Sequence, residues 1–278
     1  MNRYNLFFLF IILIYGCKEK TEKKSTLKSY NLVEDTSHIK KIDSFHLKHN
    51  RDTLKTPLVL EKDLCYVKYF LDNKGNSNDN EFCIKKRIKL KLIDKRTFLT
   101  YSKSKKNYSI EKKTVKKKNG VIELLTQEGK ITFVDKPDDE EKMVVFNYIG
   151  EINFLQKYIL NRQFWEDSDY VLIDKNDGKM HKNLISFPYI SPNTKFLVCL
   201  NSNLYEKQAE LVKYNIKNNK IDFDFSLNFT RWMPAVEPYE IFWITNDTIV
   251  VKFLSAKYYW KKNGFYNDEF QYLSITFI

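Results

Sequence analysis

From Tyr148 to Lys220 the chain states one pattern twice, and no other feature limits its fold more. The first copy reads YIGEINFLQKYILNRQFWEDSDYVLIDKNDGK and the second YISPNTKFLVCLNSNLYEKQAELVKYNIKNNK, 41 residues later by subtraction (189 − 148) with no gap. Tyr148, Ile149, Val171 and Lys179 recur as Tyr189, Ile190, Val212 and Lys220. Chemistry recurs as well: Ile159 falls on Leu200, Tyr170 on Leu211, Ile173 on Tyr214, and Asp177-Gly178 on Asn218-Asn219. Each copy therefore reads strand, loop, strand, tight turn, strand. A period of roughly 40–45 residues with that content is the period of propeller blades.

A looser third copy follows. Trp243 to Val251 aligns with Ile190 to Val198 at an offset of 53 (243 − 190), which is 12 beyond the 41-residue period. The added residues fall around FSLNFTRWMPAVEPYE (225–240). Insertions in a repeat array map to loops on one face, often the binding face. Arg231, Trp232, Met233 and Tyr239 give this insertion the composition of a binding core, where Trp, Tyr, Met and Arg are enriched. They form the candidate binding loop; the alternative is a loop that tucks its Trp over the end of the fold.

The remainder of the folded part is also strand-like. Ile88, Leu90 and Leu92 alternate with Lys89 and Lys91, the period of a half-buried strand. LVLEKDLCYVKYFL (58–71) reads as a strand pair, and Thr97 to Tyr101 as a strand returning after Asp94-Lys95-Arg96. Asn119-Gly120 and Glu128-Gly129 carry hairpin chemistry. Aromatic residues make up 15% of the chain, which favours strands. Residues 57–278 number 222, and 222/41 is about five. The expected fold is all-β, a β-propeller-like domain of about five blades over 57–278, with an open β-meander or sandwich as the alternative.

The N-terminus reads as a targeting element. Arg3 gives a basic start, and Leu6 to Tyr15 is an unbroken apolar run, too short for a membrane span of about 20 residues but suited to a signal peptide. Ile14-Tyr15-Gly16-Cys17 resembles a bacterial lipobox. The resemblance implies a lipoprotein signal peptide over 1–16, cleavage before Cys17 and lipid attachment to it, hence a membrane partner through the anchor. Residues 17–56 then read as a flexible Lys-rich tether, too poor in large apolar groups to offset chain entropy. Lys18-Glu19 is similar to signals that send lipoproteins to the cell surface. The expected location is the outer membrane, facing the periplasm or the cell surface. YVLIDKNDGK, FPYISPNTKFLV and the WMP…EIFWITNDTIVV run resemble uncharacterised bacterial lipoproteins with WD40-like, propeller-type repeats over roughly 144–254.

No residue pattern announces chemistry. There is no Gly-x-Ser-x-Gly elbow, His-Glu-x-x-His helix or phosphate-cradling glycine loop. No catalytic residue, metal site or cofactor is assigned. His38, His46 and His49 lie in the tether, and His181 is the sole histidine of the folded part. Asp174-Lys175-Asn176-Asp177-Gly178 and DNKGNSNDNE (72–81) both miss the spacing of a calcium loop. Cys65 and Cys83 flank that second loop and are a possible disulfide or two separate thiols, whereas Cys199 reads as a core residue. The net charge is +12, or +11 once the signal peptide with Arg3 is removed. A basic balance suits nucleic acid, anionic lipid or an acidic glycan, and export disfavours nucleic acid. The reading reached is a non-enzymatic binding or scaffold protein of the envelope, with an envelope protein or glycan as partner. The alternative is an exported enzyme acting on glycans through carboxylates in a propeller funnel, drawn from Asp174, Glu206, Asp222, Asp224, Glu237 and Glu240.

Overall fold

A computed structural model describes residues 57–75, 84–112, 115–139, 142–235 and 240–278. Cys17, the tether, Cys83, Glu237 and Tyr239 lie outside the described residues. In chain order the first elements are β1 (Val67–Asp72), β2 (Ile88–Ile93), helix α1 (Lys95–Lys103), β3 (Val121–Thr126) and β4 (Gly129–Val134). Then come β5 (Val145–Ile152), β6 (Lys157–Gln163), β7 (Ser168–Asp174) and β8 (Met180–Leu184). The second repeat supplies β9 (Tyr189–Ile190), β10 (Phe196–Asn203), β11 (Gln208–Lys217) and β12 (Lys220–Phe229). The chain ends with β13 (Trp232–Pro234), β14 (Ile241–Trp243), β15 (Thr248–Ser255) and β16 (Gln271–Phe277).

These strands form four antiparallel sheets among the described residues. The first is the β3–β4 hairpin, and the second runs β5-β6-β7-β8. The third runs β9-β10-β11-β12 with β1 added outside β12. The fourth is built on β15, which pairs with β13, β14 and β16, and β16 pairs in turn with β2. The fold is thus all-β, as the alternation demands. Three apolar clusters join successive sheets. Leu124 and Phe133 meet Leu160 and Val171; Ile159 and Leu172 meet Leu197 and Cys199; Val198 and Phe225 meet Ile249 and Phe253. Strands such as β6, β10 and β15 are covered on both faces, so their sequences are nearly continuous apolar runs rather than alternating ones.

The repeat is real in space, but its register is not gap-free. Val171 pairs with Leu160, and Val212 pairs with Cys199. The third strands are therefore 41 residues apart (212 − 171) and the second strands only 39 (199 − 160). A slip of two residues keeps every side chain on its own face of the strand, so the apolar pattern alone could not reveal it. Both tight turns form as read. Asn218 and Asn219 take φ of 51° and 59°, the left-handed pair of a two-residue hairpin, and Gly178 closes its turn at φ 73°. The third copy repeats the entry geometry, a short strand against a long one: Trp243 pairs with Ile249 as Ile190 pairs with Leu197.

Three local expectations are corrected. Residues 95–103 form a helix, not a strand, because Asp94 caps it: its carboxylate accepts from the Thr97 backbone N–H at 2.7 Å. Phe98 then buries against Phe242 and Tyr272 on the outer face of the fourth sheet. Residues 58–71 hold one strand, β1, behind a 3-10 turn at Glu61–Asp63 rather than a strand pair. Within the insertion at 225–240, residues 225–229 are the end of β12 and 232–234 form β13 rather than a loop.

Residues 105–112 link an edge of the fourth sheet to an edge of the second. The Lys106 N–H donates to Trp243 O at 2.8 Å, Glu111 bridges Glu151 on β5, and Lys118 bridges Val121. Tyr108 packs edge-on against Phe154. This close passage explains Gly150, which sits at φ 153° in a bulge of β5. A Cβ there would lie 2.6 Å from Glu111 O.

Candidate functional site

The connections from second to third strand in three successive sheets are β6–β7, β10–β11 and β15–β16, and each carries exposed aromatic rings. Phe164-Trp165-Glu166-Asp167 links β6 to β7, and Leu204-Tyr205-Glu206-Lys207 links β10 to β11. Trp165 is 81% exposed and Tyr205 75%. In the longer third connection Trp260 is 45% and Phe265 72% exposed, with Trp260 stacked on Tyr266 at 4.5 Å. These connections are neighbours. Glu166 stands beside Tyr205 in one groove lining, and Leu204 packs on the cluster of Met233, Leu254 and Tyr259 under the third connection. The Glu166 carboxylate beside it also raises the Tyr205 phenol above its ordinary pKa.

Between the first two hairpins lies an open groove of about 710 Å³. Its composition follows from strand alternation. Leu197 and Cys199 on β10, with Val212 and Tyr214 on β11, face the second sheet and form core. The same faces continue outward as Asn201, Asn203 and Glu210, which line the groove opposite Gln163 and Ser168. The core thus gives way to a polar floor where the two sheets reach solvent. Glu210 is held in place: its carboxylate accepts from the Asn203 amide at 2.8 Å and from the Gln208 amide at 3.4 Å. Gln208 is buried on that face, and its side-chain carbonyl has no hydrogen-bond partner among the described residues.

A second depression of about 700 Å³ shares Trp165, with Lys142, Met143 and Arg162 in its lining. Arg162 is spent on structure: its guanidinium pairs with both carboxylate oxygens of Asp169, at 2.8 and 2.5 Å, and covers Phe164.

The residues singled out by composition stand elsewhere. Trp232 is fully buried, stacked on Phe229 at 4.8 Å, with its indole N–H donating to Leu64 O at 3.1 Å. Met233 is equally buried. Neither offers surface to a partner. Arg231 is exposed, with its guanidinium over Tyr66 at 4.7 Å. The groove residues carried a signal that the gap-free alignment concealed. FWED and LYEK share an apolar-aromatic-Glu order at an offset of 40 (205 − 165), whereas the offset of 41 sets Trp165 against Glu206.

Four of the six carboxylates considered for catalysis are tied to lysines rather than to one another. Asp174 pairs with Lys157, Glu206 with Lys68, Asp224 with Lys213 and Glu240 with Lys252. Burial would raise the Asp174 pKa, but the Lys157 ammonium and the Asn176 backbone N–H outweigh it and hold the carboxyl low. Lys213 is buried with Asp224 at 2.5 Å, and Arg87 reaches Asp224 at 3.6 Å and Asp72 at 3.8 Å. No cluster of three or more His, Cys, Asp or Glu among the described residues could hold a metal ion. Cys65 packs half-buried against the core between the third and fourth sheets, and burial pushes the Cys199 thiol up to about 12. No described helix is long and apolar enough to cross a membrane.

No protein-family model, characterised protein or solved structure matches the chain.

Proposed function

We propose that the protein is a lipid-anchored, non-enzymatic binding protein of the bacterial envelope, tethered through Cys17 and binding its partner in the groove between the second and third sheets. The observation that carries the groove is the placement of Trp165 and Tyr205 on corresponding hairpins, over an ordered polar floor. Large aromatic rings left that exposed forgo burial worth a few kcal/mol each, and rigid Tyr and Trp side chains bind at low entropic cost. The finer architecture we propose is a short propeller. What supports it is that corresponding strands occupy corresponding places in sheets stacked face to face, and that β2 pairs with the C-terminal β16.

Two experiments test this reading. Immobilised full-length protein is exposed to envelope extract beside a Trp165→Ala, Tyr205→Ala double variant. Retention should be lost in the variant; equal retention by both removes the groove from the account. For the anchor, metabolic labelling with a fatty acid should mark wild type and leave Cys17→Ala unmarked.

A further inference from the structure

We infer that the groove takes a neutral, elongated oligosaccharide, an assignment that rests on the groove being the binding site. The first ground is charge. The chain carries +12 overall, yet the groove lining holds Glu166, Asp167 and Glu210 and no Lys or Arg. A polyanion would be attracted to the rest of the surface and repelled here. The basic balance of the sequence therefore does not describe the binding face.

The second ground is hydrogen-bonding character. Sugar hydroxyls both donate and accept, and so do the amides of Gln163, Asn201 and Asn203 and the hydroxyl of Ser168, while Glu210 accepts only. A folded peptide partner would bring apolar anchors and need enclosed apolar pockets to fill; this groove is open, and most residues of its lining are polar. Exposed indole and phenol rings above a polar floor suit a pyranose, which has an apolar C–H face and a hydroxyl edge.

The third ground is spacing. Stacked sheets lie roughly 10 Å apart, so rings borne by three successive sheets span on the order of 20 Å. Trp165 and Tyr205 share the groove lining, and Leu204 of that lining packs on the same cluster as Tyr266, on which Trp260 stacks, so the aromatic surface continues beyond one sugar. A chain of sugars can cover it.

The test uses full-length protein in two arms. Envelope extract is offered untreated, after periodate, which cleaves vicinal diols, and after exhaustive proteolysis. Retention should survive proteolysis and vanish after periodate. Retention lost to proteolysis but not to periodate overturns the sugar assignment while leaving the groove intact; equal retention by the Trp165→Ala, Tyr205→Ala variant overturns the groove itself. In the second arm, dimers and hexamers of neutral glucans, mannans and xylans are titrated calorimetrically, with heparin as a polyanion. A hexamer should bind at least ~10-fold more tightly than its dimer. Trp165→Ala and Trp260→Ala, each checked for unchanged circular dichroism, should each weaken it by ~10-fold. Tighter binding of heparin than of every neutral hexamer, or equal affinity for dimer and hexamer, overturns the proposal.

Discussion

Two tryptophans of this chain make opposite use of the same side chain. Trp232 is fully buried between Phe229 and Phe253, with its N–H satisfied by Leu64 O. Trp232→Ala removes that packing and leaves the Leu64 carbonyl unpaired. Unfolding in urea should show a loss of about 3–5 kcal/mol. Trp165 is exposed, so Trp165→Ala should leave stability within about 0.5 kcal/mol of wild type and act on binding alone. A Trp165→Ala variant as unstable as Trp232→Ala would mean the hairpin is structural. Gly150 is the other position where one atom matters. An added Cβ would strike Glu111 O and Ile110, both 2.6 Å away, at a φ that other residues avoid. Gly150→Ala should lower stability by roughly 1–3 kcal/mol, read from the same urea midpoints.

At the level of elements, the hairpin chemistry was legible and the register was not. Asn218-Asn219 announced a two-residue turn, and its two left-handed residues are the reason two asparagines stand there. Replacing both by Ala imposes that conformation on residues that resist it, and the thermal midpoint should fall by an amount matching roughly 1–2 kcal/mol. Asn219→Gly should keep or raise it. If the double Ala variant melts with wild type, the turn is not what sets the β11–β12 pairing. The strands, their repeat and the core they build could be read from alternation and from runs such as TIVVKF. The helix at 95–103 reads as a strand from sequence, since the stretch is short and its strong helical signal is the Asp94 cap alone. The groove was hidden for a similar reason. The second hairpin is two residues longer between paired positions, and an even slip leaves the inside-outside pattern untouched while displacing Tyr205 from Trp165. Composition pointed instead to Trp232, because composition does not distinguish a ring that packs from one that stands in solvent.

On the scale of the whole molecule, stability rests on the joints between sheets, and several ionisable groups have been drawn into those joints in their neutral forms. Tyr148 lies in the joint of the first and second sheets; Tyr214 and Cys199 lie in that of the second and third. Burial is the first cause of the raised pKa in all three, and the Glu151 carboxylate adds to it at Tyr148. The ordinary values are 10.0 for the phenols and 9.0 for the thiol, against about 12 for the folded thiol. An acid whose pKa is raised by folding holds its proton longer in the native state. Its contribution is complete below the unfolded value and is lost as pH climbs toward the folded one. The thermal midpoint should therefore be level from neutral pH up to about pH 9 and fall steadily above it. Tyr214→Phe keeps the ring and removes one of these titrations, so its alkaline decline should be shallower than that of wild type. Superimposable pH profiles for the two proteins would show that the buried phenol at the second joint does not carry the alkaline sensitivity. A shallower decline in Tyr214→Phe, with the Trp165→Ala profile unchanged from wild type, would place the sensitivity in the joints and leave the groove free of it.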